Sequence, residues 1–284
     1  MKRVARTRAS SVVAASLFAI SLVLASCGQS DNTATAEADT IEGMDNSAMK
    51  ARQFAAIPDR QIMASDLLIR EHTPTLNFDW HAPPELARAP ALLFRLRGDA
   101  EAEQAQMEES AREFAQMLVE QKREPAPLSY DERWTVALDN GGLLVLASEM
   151  SRYDGGAHPN SGFGAVYWDK EAAREVELPA LFVNWPDARK ILEKRVCAKL
   201  DEQRVEKRGG PLSDDGPDEF NACPPLTDGS LVLRGTSTGE LMSVVVRFAP
   251  YVAGPYVEGA YEIRLDATPE VKKLFKAKYI PPTA

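Results

Sequence analysis

Residues 153–160 hold the densest run of chemically versatile side chains in the sequence: Tyr153-Asp154-Gly155-Gly156-Ala157-His158-Pro159-Asn160. An imidazole is suited to general acid–base work or metal ligation near neutral pH. The two glycines admit positive φ and let another group approach the backbone. Pro159 holds His158 extended, and Asp154 and Asn160 can hydrogen-bond a turn backbone. His158 therefore has two readings: a general base or ligand, or a histidine satisfied within a turn. Composition favours the turn.

A second segment, residues 248–259, sets Tyr251 and Tyr256 among Pro250, Gly254, Pro255 and Gly259. Rigid tyrosines on a Pro/Gly loop make a low-entropy binding surface. The alternative is a strand crossover whose rings face the core. Other chemistry lacks a signature. His72, His81 and His158 are the only histidines, and none has a partner at zinc-ligand spacing. Asp214, Asp215, Asp218 and Glu219 do not follow the alternating pattern of a calcium loop and read as a solvated acidic loop. There is no Gly-x-Ser-x-Gly, phosphate-binding loop or dinucleotide fingerprint. The sequence thus names no catalytic residue, no metal ligand and no cofactor.

The N-terminus explains the odd cysteine. Lys2, Arg3, Arg6 and Arg8 precede an apolar run over residues 12–25, too short for a comfortable membrane span. Such a run matches the core of a signal peptide. It ends in Leu24-Ala25-Ser26-Cys27, a bacterial lipobox, so residues 1–26 are expected to be cleaved and Cys27 lipidated. Gly28, in place of an aspartate, favours the outer membrane facing the periplasm if the host is Gram-negative. Residues 27–55 are small and polar and read as the lipidated Cys and a flexible tether. The 284-residue chain carries a formal net charge of −9, and loss of the leader's four basic residues takes it to −13. That balance argues against nucleic acid and is compatible with a cationic partner. Cys197 and Cys223 are expected to pair in an exported compartment; a catalytic or metal-bound thiol is the alternative.

The elements that position these segments are mixed. Residues 62–70 and 74–80 alternate as strands. Residues 98–121 read as a long helix with Met107, Ala111, Phe114, Met117 and Leu118 on one face. Asp139-Asn140-Gly141-Gly142 between runs 134–138 and 143–153 signals a hairpin. Another strand is expected over 163–168. A second helix spans 187–204 with Ile191, Val196 and Leu200 inward. Strands follow at 230–235, 241–248 and 260–265, then a helix over 268–277 capped by Thr268. The expected class is α+β: antiparallel sheet, one long helix and shorter helices packed on it, in two sequential subdomains.

The Tyr-x-Gly-Gly-Ala-His-Pro-Asn run, Leu178-Pro179-Ala180-Leu181-Phe182, and Pro255-Tyr256-Val257-Glu258-Gly259 together resemble one envelope domain. It is the extracellular domain of unknown function of the lysozyme-sensing anti-sigma factor RsiV. That domain often follows a module named after the peptidoglycan deacetylase PdaC, which residues 62–150 resemble in pattern and order. The resemblance implies a PdaC-like module over 56–150 and an RsiV-like domain over 151–284. It implies a recognition surface at Tyr153, Asp154, Gly155, Gly156, His158, Asn160, Pro255, Tyr256 and Gly259. The implied partners are a protein, with lysozyme-like muramidases as one candidate, or peptidoglycan, alongside the membrane that takes the lipid. Nothing here is similar to the deacetylase's catalytic barrel. A cell-wall hydrolase or deacetylase accessory using His158 is the alternative to a non-enzymatic binder.

Overall fold

Alternating burial builds the first sheet. In the computed structural model, which describes residues 61–210 and 218–281, the even positions Leu76, Phe78 and Trp80 are buried and their neighbours are not. The expected signal peptide, Cys27, the expected tether and Asp214 and Asp215 lie outside the described residues. Strands β1 (Leu68–His72), β2 (Leu76–His81), β3 (Leu128–Asp139), β4 (Leu143–Tyr153), β5 (Asn160–Asp169) and β6 (Arg174–Glu175) form one sheet in that order. Strands β7 (Ser230–Gly235), β8 (Leu241–Phe248) and β9 (Tyr261–Asp266) form a second sheet. The architecture is α+β in two sequential parts.

One pair departs from the antiparallel expectation: β2 and β3 run parallel. A parallel pair needs a crossover of a dozen or more residues, and helix α1 (Pro90–Glu120) is that crossover. It starts eight residues before the expected position 98. Pro90 suits the first helical turn, and Leu92, Leu93 and Leu96 lie buried under the sheet. Helix α2 (Trp185–Arg208) begins at Asn184, whose Oδ1 accepts from Asp187 N at 3.3 Å, and stops at the left-handed Gly209. Met117 and Ile191, expected inward, are exposed. Each lies one residue, about 100°, before a buried leucine.

Two end boundaries also differ. Residues 64–67 form a 3-10 turn, because Asp66 Oδ2 accepts from Met63 N at 2.8 Å and draws the chain into a turn before β1. The expected helix over 268–277 is only Pro269–Lys272. Beyond it the chain turns, Phe275 bridges Phe182, and Val183 N donates to Leu274 O at 2.9 Å, so pairing with residues 182–183 takes it out of the helical path.

The six-stranded sheet separates two apolar clusters. Phe78, Trp80, Trp134, Leu144 and Leu146 pack with α1. Leu143, Val145, Ala147 and Tyr167 pack with the second sheet and with Leu192, Val196 and Leu200 of α2. Cys197 and Cys223 are bridged with a Cα–Cα distance of 5.5 Å and a separation of 26 residues. A loop of that size stabilises by about 3–4 kcal/mol on the chain-entropy model. The boundary at 150/151 implied by the family resemblance falls inside β4, which pairs with both β3 and β5.

Candidate binding site

The two segments singled out in the sequence meet in space. The rings of His158 and Tyr256 stack with centroids 3.6 Å apart and planes 18° apart. His158 Nε2 lies 3.2 Å from the Tyr251 hydroxyl, and Nδ1 lies 3.0 Å from Pro159 O. A carbonyl only accepts, so Nδ1 carries the proton and, in the neutral ring, Nε2 accepts from Tyr251. The Tyr256 hydroxyl donates to Pro159 O at 2.9 Å. His158 is thus a half-buried turn histidine that ties one loop to the other.

The remaining expected residues stand around this contact. Tyr153 ends β4, Asn160 begins β5, and Asp154 Oδ1 accepts from Arg152 Nε at 2.7 Å. Gly155 has φ +82°, and a Cβ there would lie 2.4 Å from the Phe114 ring of α1. The Gly-Gly turn is therefore pressed against the long helix. Gly155→Ala is expected to lower stability by about 1–3 kcal/mol. Gly156→Ala, where an added Cβ meets nothing within 4 Å, should change little. Thermal unfolding of the two variants checks this. Gly156 is exposed in the turn, and Pro255 and Gly259 flank the short turn Tyr256–Glu258, with Gly259 at φ +67°.

The end of α2 clasps the tyrosine loop. Arg204 is fully buried and donates to Ala253 O through Nε at 3.0 Å and Nη2 at 2.8 Å. Lys207 Nζ donates to Glu258 O at 2.7 Å and Ala260 O at 2.6 Å. Arg208 Nε donates to Glu258 Oε1 at 2.8 Å. Burial pushes the Glu258 carboxyl up, but hydrogen bonds from Arg208 and Tyr261 outweigh it and hold the group below its ordinary value. Burial, reinforced by Glu258, pushes the Tyr261 phenol up to about 12. Residues Arg204, Lys207, Arg208 and Glu258 escaped the sequence reading. The available signal was a cluster of cations in the last turn of an amphipathic helix.

Beside the loops opens a cleft of ≈ 600 Å³. Its floor is the uncovered face of the six-stranded sheet at Asp131, Glu149, Ser151, Ser161 and Phe163, and its rim runs from Tyr256 to Ala260. Among the described residues no group of His, Cys, Asp or Glu is arranged to hold a metal ion. Among them, too, no helix is long and apolar enough to cross a membrane.

No family model matches the chain, and no curated protein sequence does. Among solved structures, the chain is similar to a member of the DUF3298 family from Bacteroides fragilis, at 14% identity and TM-score 0.48, over 74% of this chain and 92% of that one. It is also similar to a DUF3298 family protein from Pseudomonas aeruginosa, at 16% identity and TM-score 0.43, over 76% of this chain and 94% of that one. Both neighbours carry the label of a domain of unknown function.

Proposed function

We propose that this chain is a lipid-anchored protein of the cell envelope whose α+β domain binds a protein or a cell-wall glycan. The supporting observation is the meeting of residues 153–160 and 250–259, which displays Tyr256 and the exposed Val257 at the lip of the cleft, with the exposed Tyr251 packed beside Tyr256. Rigid aromatic anchors beside a concave, polar-edged surface are what recognition sites use. Both His158 ring nitrogens are engaged, one by its own turn and one by Tyr251 of the facing loop, which weighs towards binding rather than proton transfer. The lipobox at Cys27 supports the anchor. The resemblance to the RsiV-type domain makes lysozyme-like muramidases one candidate partner, and the PdaC-type reading of residues 56–150 rests on pattern alone.

Two measurements test the reading. Palmitate labelling of the full chain is expected to disappear in Cys27→Ala, with release from the membrane fraction. Calorimetric titration of the full chain with lysozyme and with peptidoglycan fragments is expected to show binding to at least one. Tyr256→Ala should weaken that binding about tenfold or more. Heat from neither ligand would sink the proposal.

A further inference from the structure

The cleft has an unusual charge balance for so acidic a chain. Its lining holds three carboxylates, Asp131, Glu149 and Glu258. Each has a guanidinium beside it. Arg247 Nη1 lies 2.6 Å from Glu149 Oε1, and Arg208 Nε lies 2.8 Å from Glu258 Oε1. Arg133 Nη2 lies 4.0 Å from Asp131 Oδ2. Opposite charges this close cancel beyond about a Debye length, roughly 8 Å at physiological salt. The cleft therefore exerts little long-range pull on a basic or an acidic macromolecule, although the whole chain carries −9.

What remains acts at short range. Asp131, Ser151 and Ser161 are successive ladder partners across β3, β4 and β5, so their oxygens form one rank on the same sheet face. Strand spacing sets the members of that rank about 4.8 Å apart. Glu149 and Phe163 form the neighbouring rank. Carboxylates keep lone pairs free after one ion pair, and serine hydroxyls both donate and accept. Phe163 in the floor and Tyr256 in the rim add aromatic surface on the side left free, since Arg247 lies 4.4 Å over the Phe163 ring and His158 stacks on Tyr256. Fixed acceptors, hydroxyls of both roles and aromatic surface, with every lining carboxylate already paired to a guanidinium and Lys207 engaged by the rim carbonyls, match a polyhydroxylated ring that has polar edges and apolar C–H faces. The strands hold these groups rigidly, which limits the ordering cost of binding.

We propose that the cleft formed by the open face of β3–β5 and the loop at Tyr256 binds a short stretch of a neutral glycan chain. The cleft's volume falls within the range of about 300–1,000 Å³ typical of small-ligand sites. This rests on the envelope-binding reading and narrows it to sugar rather than protein.

The test is calorimetric titration of the full-length chain with three probes: an N-acetylglucosamine tetramer, cellotetraose and lysozyme. At least one tetrasaccharide is expected to bind, and its Kd should stay within about twofold between 50 and 500 mM salt, because no ion pair forms with the ligand. Which tetrasaccharide binds identifies whether acetamido or plain hydroxyl sugars are the natural class. Ser151→Val combined with Ser161→Val, both exposed strand positions, should weaken binding about tenfold or more. Circular dichroism of that variant is expected to be unchanged. Sugar binding that the double variant leaves intact would overturn the site assignment. Binding of lysozyme alone would overturn the glycan inference while leaving the envelope reading standing. Binding of none of the three would overturn the glycan inference, and the envelope reading falls with it only if peptidoglycan fragments also give no heat.

Discussion

Arg204→Met is expected to lower the unfolding free energy by about 3–5 kcal/mol, a large share of the roughly 5–15 kcal/mol that a domain possesses. The guanidinium is fully buried yet well satisfied. Besides its two bonds to Ala253 O, Nη1 donates to Asn221 O at 2.8 Å and Nη2 to Ala222 O at 2.8 Å. Asp201 Oδ1, 3.1 Å from Nη1, supplies the counter-charge. Methionine would replace the aliphatic stem but no donor, leaving three carbonyls without these bonds, at about 1–3 kcal/mol for each that water fails to reach. Arg204→Lys should recover only part of the loss, since one ammonium cannot span carbonyls on two separate segments. Urea unfolding at constant m-value reads both effects. Ala253 sits between Tyr251 and Tyr256, so the same substitution should also loosen the tyrosine loop. In α2 Cys197 and Arg204 are seven residues apart and share a face, and both hold the segment around residues 221–223.

Much of the local structure was legible because its causes are local. The hairpin at residues 139–142 forms because Asn140 Oδ1 accepts from Gly142 N at 2.9 Å and Leu143 N at 2.8 Å, a preference written in the residue type. Thr268 caps its helix for the same kind of reason, accepting from Val271 N at 3.4 Å. Where the reading failed, distant parts of the chain decided. Gly98 looked like a helix boundary, but the burial of Leu92, Leu93 and Leu96 carries the helix through it, with Gly98 on the solvent side at a cost of about 1 kcal/mol. The parallel β2–β3 pair depends on the direction in which α1 returns the chain, which no short window encodes. Both site loops were visible as odd compositions. Their contact was not, since residues 158 and 256 are brought together only by the packing of two sheets. The cleft floor was invisible for another reason: Ser151, Ser161 and Asp131 are ordinary exposed strand residues until pairing register ranks them.

Asp169→Asn is expected to cost about 2–4 kcal/mol at neutral pH, and the cost should shrink in acid. The carboxylate is almost fully buried at the end of β5. It accepts from Ala172 N at 2.9 Å, Glu171 N at 3.1 Å, Lys278 Nζ at 2.9 Å and the Tyr279 hydroxyl at 2.9 Å. The backbone bond from Ala172, followed by Lys278 and Tyr279, outweighs burial and holds the group far below the usual carboxylate range. An acid whose folded pKa is depressed stabilises the fold above its unfolded pKa, about 4. That contribution is lost as pH falls through the folded value. Wild type should therefore lose stability below about pH 4 along a steeper curve than the variant, and the two curves should converge towards pH 2. Asparagine is nearly isosteric, but it keeps only one acceptor oxygen and turns an NH2 towards groups that themselves donate. Asn140 Nδ2 also donates to Tyr279 O at 2.8 Å, so the β3–β4 hairpin and the β5 terminus grip the same C-terminal residues. Loss of Asp169 should thus free residues 276–281 first, seen as faster amide exchange at Tyr279 and Ile280 before the sheet exchanges. Equal exchange across the chain would instead mean that the C-terminal segment unfolds only with the whole domain.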